Sequence, residues 1–183
     1  MRLEGLTDVL TLQIKDLYSA EAQFRTAREK LSVRAGCKPL RELLQHHVSS
    51  SEQQLVRLNK IADYLGISAK GHKCYGAEGL VKECNEIVRF DGDESSRDSA
   101  LAGAAQRIAH YEVASYSNAL SLAQLLGYDD VVELLSDSLS DETTASKALK
   151  DMAESTINPM AFREERRANI EERRSAVAAV PFE

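Results

Sequence analysis

The chain has 183 residues, a formal net charge of −6, three prolines and no tryptophan. This length suits one domain with a substantial core, and the scarcity of helix-breaking residues favours helices over strands. The negative charge argues against a nucleic-acid-binding fold, and the absence of an 18-residue apolar run argues against a membrane span.

Apolar residues recur at steps of three and four along four long stretches, which is the spacing of amphipathic helices. These predicted helices cover about residues 7–35, 39–65, 97–126 and 130–155. A shorter helix is predicted over about residues 77–90, within the long connection between the second and third of them. The pattern therefore predicts an all-α, four-helix bundle with one long crossover that carries a short extra helix.

Glycine and serine mark the predicted helix ends. Gly36, Gly66 and Gly127 each follow a long helix and are candidate C-terminal caps. Ser95 or Ser96 is the candidate N-terminal cap of the third long helix, because a serine hydroxyl can accept from a free backbone N–H. We therefore expect this helix to begin near residue 97.

The last part of the chain differs in composition from the bundle. Asn158 and Pro159 are predicted to end the fourth helix, which places the bundle domain at residues 1–157 and a charged tail at residues 158–183. Five arginines lie between Arg163 and Arg174 and are nearly balanced by glutamates. The tail is either a frayed terminus or a short solvated helix that docks a protein partner.

Four polar side chains fall on the apolar stripes near the helix middles. They are Glu21, His47, Glu112 and Glu142, one on each long helix. The stripe of Glu112 also contains Leu101, Ala105, Ile108, Ser115, Ala119 and Leu122. A carboxylate on a core face is costly unless it is paired, and facing side chains meet near the axis of a bundle.

Three carboxylates and one imidazole suit iron or manganese, with zinc as the weaker candidate. The alternatives are that Glu21 reaches water from the edge of its stripe and that His47 is satisfied by a hydrogen bond. The three cysteines lack a CxxC spacing, so we expect reduced thiols in the cytoplasm and no zinc site made from them.

Several segments resemble the YciE/YciF family of bacterial ferritin-like proteins. They include DLYSAEAQF at 16–24, LLQHHVSSSEQQLVRL at 43–58, RDSALAGAAQRIAHYEVASY at 97–116 and ELLSDSLSDE at 133–142. The resemblance covers about residues 6–153 in order. It implies a ferritin-like bundle, often a dimer and linked to stress responses. The wider superfamily uses carboxylate and histidine ligands for two iron or manganese ions.

The resemblance implies metal ligands at Glu21, His47, Glu112 and Glu142. Two other ligand positions depart from the family pattern: Ser50 stands in the family's EET, and Ala109 replaces the first glutamate of its VEHYE. Both lie three residues from a retained ligand, and Gln54 is only a weak substitute. His110 is predicted to face away from the axis. Because a two-metal centre needs roughly six protein ligands, we expect one ion or none.

Two functions follow from the inward polar residues and from what the resemblance implies. The first is a ferritin-like, stress-associated metal-binding protein with a reduced site inside the bundle. The second is a non-catalytic scaffold of the same family, which acts through homodimerisation or partner binding and whose inward polar residues form a hydrogen-bond network. Enzymatic turnover is left open, and neither function involves nucleic acid or a membrane.

Overall fold

The computed structural model describes residues 3–178, and four long helices dominate it. They are α1 (Leu6–Arg34), α2 (Lys38–Tyr64), α4 (Glu94–Leu126) and α5 (Asp129–Met152). The short helix α3 (Tyr75–Ile87) lies in the connection between α2 and α4. Each long helix agrees with a stretch of three- and four-residue periodicity, so the helix predictions are confirmed.

The four long helices pack as a ring. Helix α1 contacts α2 and α4, and helix α5 contacts the same two helices from the opposite side. Helix α3 packs against α1 and α4, so the crossover runs along the outside of the bundle. This is the predicted ferritin-like four-helix bundle with a long crossover.

The helix ends agree only in part with the predicted caps. Gly66 and Gly127 have φ angles of 65° and 71°, as a C-terminal glycine cap requires. Gly36 does not, and Asp98 instead accepts from its backbone N–H at 2.9 Å and caps the start of α2. The N-cap of α4 is Asp93, whose side chain accepts from the Ser96 N–H at 2.6 Å, so this helix begins three residues earlier than predicted.

The fourth helix does not stop at the predicted proline. A π-helical turn, Ala153–Ile157, joins α5 to a further helix, α6 (Asn158–Ala178). This helix is exposed from Phe162 to Ser175, and the remaining tail residues 179–183 lie outside the described range. Within the described residues, no helix is long and apolar enough to cross a membrane.

The apolar core is divided into two halves. One half surrounds Phe24, Leu44 and Leu101, and the other surrounds Leu17 and Leu58. Buried polar side chains separate the halves along the bundle axis; they are Glu21, Arg28, His47, Ser51, Gln54, Glu112, Ser138 and Glu142. The bundle therefore encloses a polar layer in the middle of its core.

Candidate metal centre

Three of the four predicted ligands meet in this polar layer. One carboxylate oxygen from each of Glu21, Glu112 and Glu142 lies within 4.8 Å of the others. Oxygens bound to one ion at roughly 2.1 Å lie at most about 4.2 Å apart, so small side-chain movements would let them share an ion. All three side chains are buried, on α1, α4 and α5 respectively.

The fourth predicted ligand lies at the edge of the layer. His47 is 3% exposed and is not part of the three-carboxylate set. It lines a groove of about 270 Å³ between α2 and α5, together with His46 and Asp141. None of the three glutamates lines this groove, so His47 is the member of the predicted ligand set that borders it.

A buried arginine completes the layer, and the sequence reasoning missed it. The Arg28 guanidinium is 1% exposed and donates through Nη2 to Glu112 and, at 3.4 Å, to Glu142. Its Nη1 donates to the Ser51 hydroxyl at 2.7 Å. Side chains on a helix lean toward its N-terminus, which carries this long side chain back toward Glu21, seven residues earlier on the same stripe.

Two further hydrogen bonds hold the carboxylates. The Tyr116 hydroxyl donates to Glu21 Oε1 at 2.8 Å, and Gln54 Nε2 donates to Glu142 Oε1 at 2.8 Å. Tyr116 is buried on α4, whereas Ser115, which the stripe pattern placed in the core, is only half-buried. The α4 stripe was therefore wrong by one residue at this point.

Two neighbouring serines of α2 differ in whether they face the layer. Ser50 is half-buried and donates to the His46 carbonyl, while Ser51 is fully buried and faces the layer. Ser51 and Gln54 stand three residues apart, which is the spacing at which di-iron carboxylate proteins place a glutamate and a histidine on one helix. On α4, Ala109 is buried and His110 is exposed, as the spacing predicts.

Several buried acceptor atoms in the layer have no hydrogen-bond partner among the described residues. They are Glu21 Oε2, Glu112 Oε1, Gln54 Oε1 and His47 Nδ1. A buried polar atom is almost always satisfied, so atoms of this kind call for a proton, a water or a cation. The two carboxylate oxygens among them can accept a proton or a cation, whereas Arg28 Nε in the same layer is a donor without a partner.

Burial is the main cause of the raised pKa values of two carboxyl groups in this layer. Burial, followed by the nearby Glu142, raises the pKa of Glu21 to about 7 against the opposing effect of Arg28. Burial also raises the pKa of Glu112 well above its usual range. Burial and Arg28 lower the pKa of His47 to about 4, which leaves its imidazole neutral and able to act as a ligand at neutral pH.

Comparisons with known proteins agree with this fold. The model of the family described as "Domain of unknown function (DUF892)" matches residues 5–161. Protein YciF of Escherichia coli (strain K12) is 32% identical over 162 residues, which cover 88% of this chain and 98% of YciF.

Solved structures of similar chains share the same architecture. The crystal structure of the E. coli stress protein YciF has a TM-score of 0.81 at 32% identity, with 85% of this chain and 99% of that chain covered. YcfI of Rhodopseudomonas palustris has a TM-score of 0.77 at 31% identity, covering 80% of this chain and 94% of that one. A protein from Xanthomonas campestris has a TM-score of 0.70 at 19% identity, which shows the fold alone.

Proposed function

The chain belongs to the DUF892 family, and from that premise we propose that it is a stress-associated, ferritin-like protein whose bundle binds one divalent metal ion. Glu21, Glu112 and Glu142 are the proposed ligands, with His47 at the side of the site. Iron or manganese suits this set of oxygen and nitrogen donors better than zinc. The stress role is proposed by similarity to the E. coli relative, which is described as a stress protein.

Charge balance is the observation that supports one ion. With all three carboxylates deprotonated, as metal ligands must be, the layer would carry three negative charges, and Arg28 is the cation paired with them in the described part of the chain. The layer is then two charges short of neutrality, which one divalent ion supplies. The unpartnered oxygens of Glu21 and Glu112 provide positions from which such an ion can be coordinated.

A single ion limits the chemistry that we propose. When bound, iron or manganese would supply redox and Lewis-acid chemistry to the site. Reactions that need two neighbouring ions are not expected, because the positions of two further ligands are occupied by Ser51 and Ala109.

The ion pairs of Arg28 support a second candidate function. These pairs, to Glu112 and Glu142, provide a buried network that holds the layer together without a metal. In that case the bundle serves as a scaffold, in keeping with the description of the R. palustris relative as a candidate structural protein. We propose for either function a cytoplasmic homodimer, with the exposed Phe162 and Ile170 of α6 as a surface for a partner.

Elemental analysis separates the two candidates. Protein purified without chelator or affinity metal, and then titrated anaerobically with Fe²⁺ or Mn²⁺, is expected to hold about one ion per chain. Glu142→Gln should lose the ion, whereas Glu133→Gln, an exposed glutamate on the same helix, should keep it. Wild-type protein that binds no ion would leave the scaffold function, and two ions per chain would contradict the single-ion site. Light scattering on the same samples tests the dimer.

A further inference from the structure

We propose that the Arg28 guanidinium takes the place of a second cation among the carboxylates, so that the cluster accepts one metal ion fewer than its carboxylates would otherwise hold. This inference rests on the proposed metal site. It adds the reason why a bundle with three inward glutamates would stop at one ion.

The position of the guanidinium carries the argument. Its Nη2 contacts both Glu112 on α4 and Glu142 on α5, so one positive group bridges two carboxylates from different helices. In the two-ion bundles of the ferritin-like type, inward glutamates from facing helices hold the metal ions. A guanidinium matches carboxylates geometrically through its fork of N–H donors, and it stays charged at every physiological pH.

The residues of α2 that face the guanidinium are neutral. Ser51 is small and accepts from Arg28 Nη1 at 2.7 Å, and Gln54 donates to Glu142 Oε1 at 2.8 Å. A glutamate at position 51 and a histidine at position 54 would bring ligands to the same place. The serine instead leaves space for the Arg28 side chain. The absence of metal ligands on α2 therefore allows the guanidinium to enter the layer.

A guanidinium that belongs to the chain differs from a metal ion because it does not exchange with the solution. A bound ion exchanges with the solution, whereas the Arg28 charge is covalently attached to α1 and cannot leave. The bridging position is therefore filled under all conditions, including metal starvation. Only the side of the cluster near Glu21 Oε2 and Glu112 Oε1 is then available to an exchangeable ion.

Arg28→Met tests the inference, because methionine replaces the aliphatic part of the side chain and removes the charge and the donors of the guanidinium. Mn²⁺ bound per chain is measured by equilibrium dialysis and elemental analysis, with circular dichroism to verify folding. We expect Arg28→Met to bind one more ion per chain than wild type. Arg28→Lys, which keeps the charge, and Arg25→Met, which removes a partly exposed arginine on the same helix, should both match wild type.

A second pair of variants covers the case in which Arg28→Met does not fold. Glu112→Gln removes one negative charge from the layer, so the double variant Arg28→Met/Glu112→Gln has the same excess of negative charge as wild type. The double variant is expected to bind one more ion than Glu112→Gln alone. Equal binding by these two proteins would overturn the inference.

The outcomes separate this inference from the proposed function. One ion in wild type and two in Arg28→Met would support both. No ion in wild type and at least one in Arg28→Met would support the role of Arg28 and overturn the proposed metal function. Equal ion content in wild type and Arg28→Met would overturn the role of Arg28, and the wild-type content alone would then decide the proposed function.

Discussion

The Arg28 guanidinium on α1 donates to the Glu112 carboxylate on α4 and joins residues that are 84 positions apart in the chain. Both side chains are buried, at 1% and 0% exposure. Removing two charges from water costs free energy, and this cost offsets much of the attraction between them. A buried charge that loses its partner has no such attraction, so the layer depends on both partners being present.

Removing Arg28 should lower the free energy of unfolding of the metal-free protein more than removing the Glu112 charge. Arg28→Met leaves three buried carboxylates without a cation and should lower the free energy of unfolding by about 3–5 kcal/mol. Glu112→Gln should cost only about 1–2 kcal/mol, because Arg28 keeps its contact with Glu142 and one like charge is removed. Urea denaturation at pH 8 with chelator measures both values. An equal or greater cost for Glu112→Gln would contradict this account.

Stability of the metal-free protein should depend on pH through Glu21. The folded-state pKa of about 7 lies above the ordinary value of 4.5, so the folded state holds this proton more tightly than the unfolded state. The Glu21 contribution is then fully present below pH 4.5 and is lost as pH rises to about 7, at about 1.4 kcal/mol per pH unit.

Glu21→Gln isolates that contribution. The free energy of unfolding of wild type, relative to this variant, should fall between pH 4.5 and pH 7 and level off above. The difference between the two proteins removes the opposing effect of His47, whose lowered pKa makes stability rise over part of the same range. A difference that does not change with pH would show that Glu21 is not held in its protonated form.

Tyr116→Phe should change the pKa of the Glu21 carboxyl group. The Tyr116 hydroxyl donates to Glu21, and this hydrogen bond lowers the pKa of Glu21 against the larger effect of burial. Its loss should cost about 1–3 kcal/mol at pH 8 and shift the Glu21-dependent fall in stability to higher pH.

Tyr64→Phe is the matched control for that variant. The Tyr64 side chain is exposed near the end of α2, and its loss of a hydroxyl should leave both the stability and its pH profile unchanged. If Tyr116→Phe behaved like this control, the hydrogen bond to Glu21 would have no energetic role.

Two glycines, Gly103 inside α4 and Gly127 directly after it, should change the stability in opposite directions when they are replaced by alanine. Gly127 has a φ angle of 71° at the end of the helix, where alanine is strained, so Gly127→Ala should lower the free energy of unfolding by about 1–2 kcal/mol. Gly103 lies inside the helix, and an added Cβ would meet only Arg107 Nη1 at 3.7 Å. Gly103→Ala should stabilise by about 0.5–1 kcal/mol. Thermal unfolding of both variants measures whether each change stabilises or destabilises the protein. A change in the same direction for both variants would contradict the helix boundaries.

The sequence by itself determined the positions of the long helices and most of their inward faces. A helix repeats every 3.6 residues, so apolar residues at steps of three and four identify the buried side without any knowledge of its neighbours. The same periodicity placed Glu21, Glu112 and Glu142 on inward faces, and the structure brings their carboxylates together.

Only the tertiary structure decided what pairs with these carboxylates. Arg28 is seven residues after Glu21 and lies on the same stripe, which was the available signal, yet an arginine in a helix usually extends into solvent. Its burial depends on Glu112, Glu142 and Ser51, which belong to three other helices. Local periodicity shows which side of a helix faces inward, whereas the charge that a buried group meets is set by side chains that are distant in the chain.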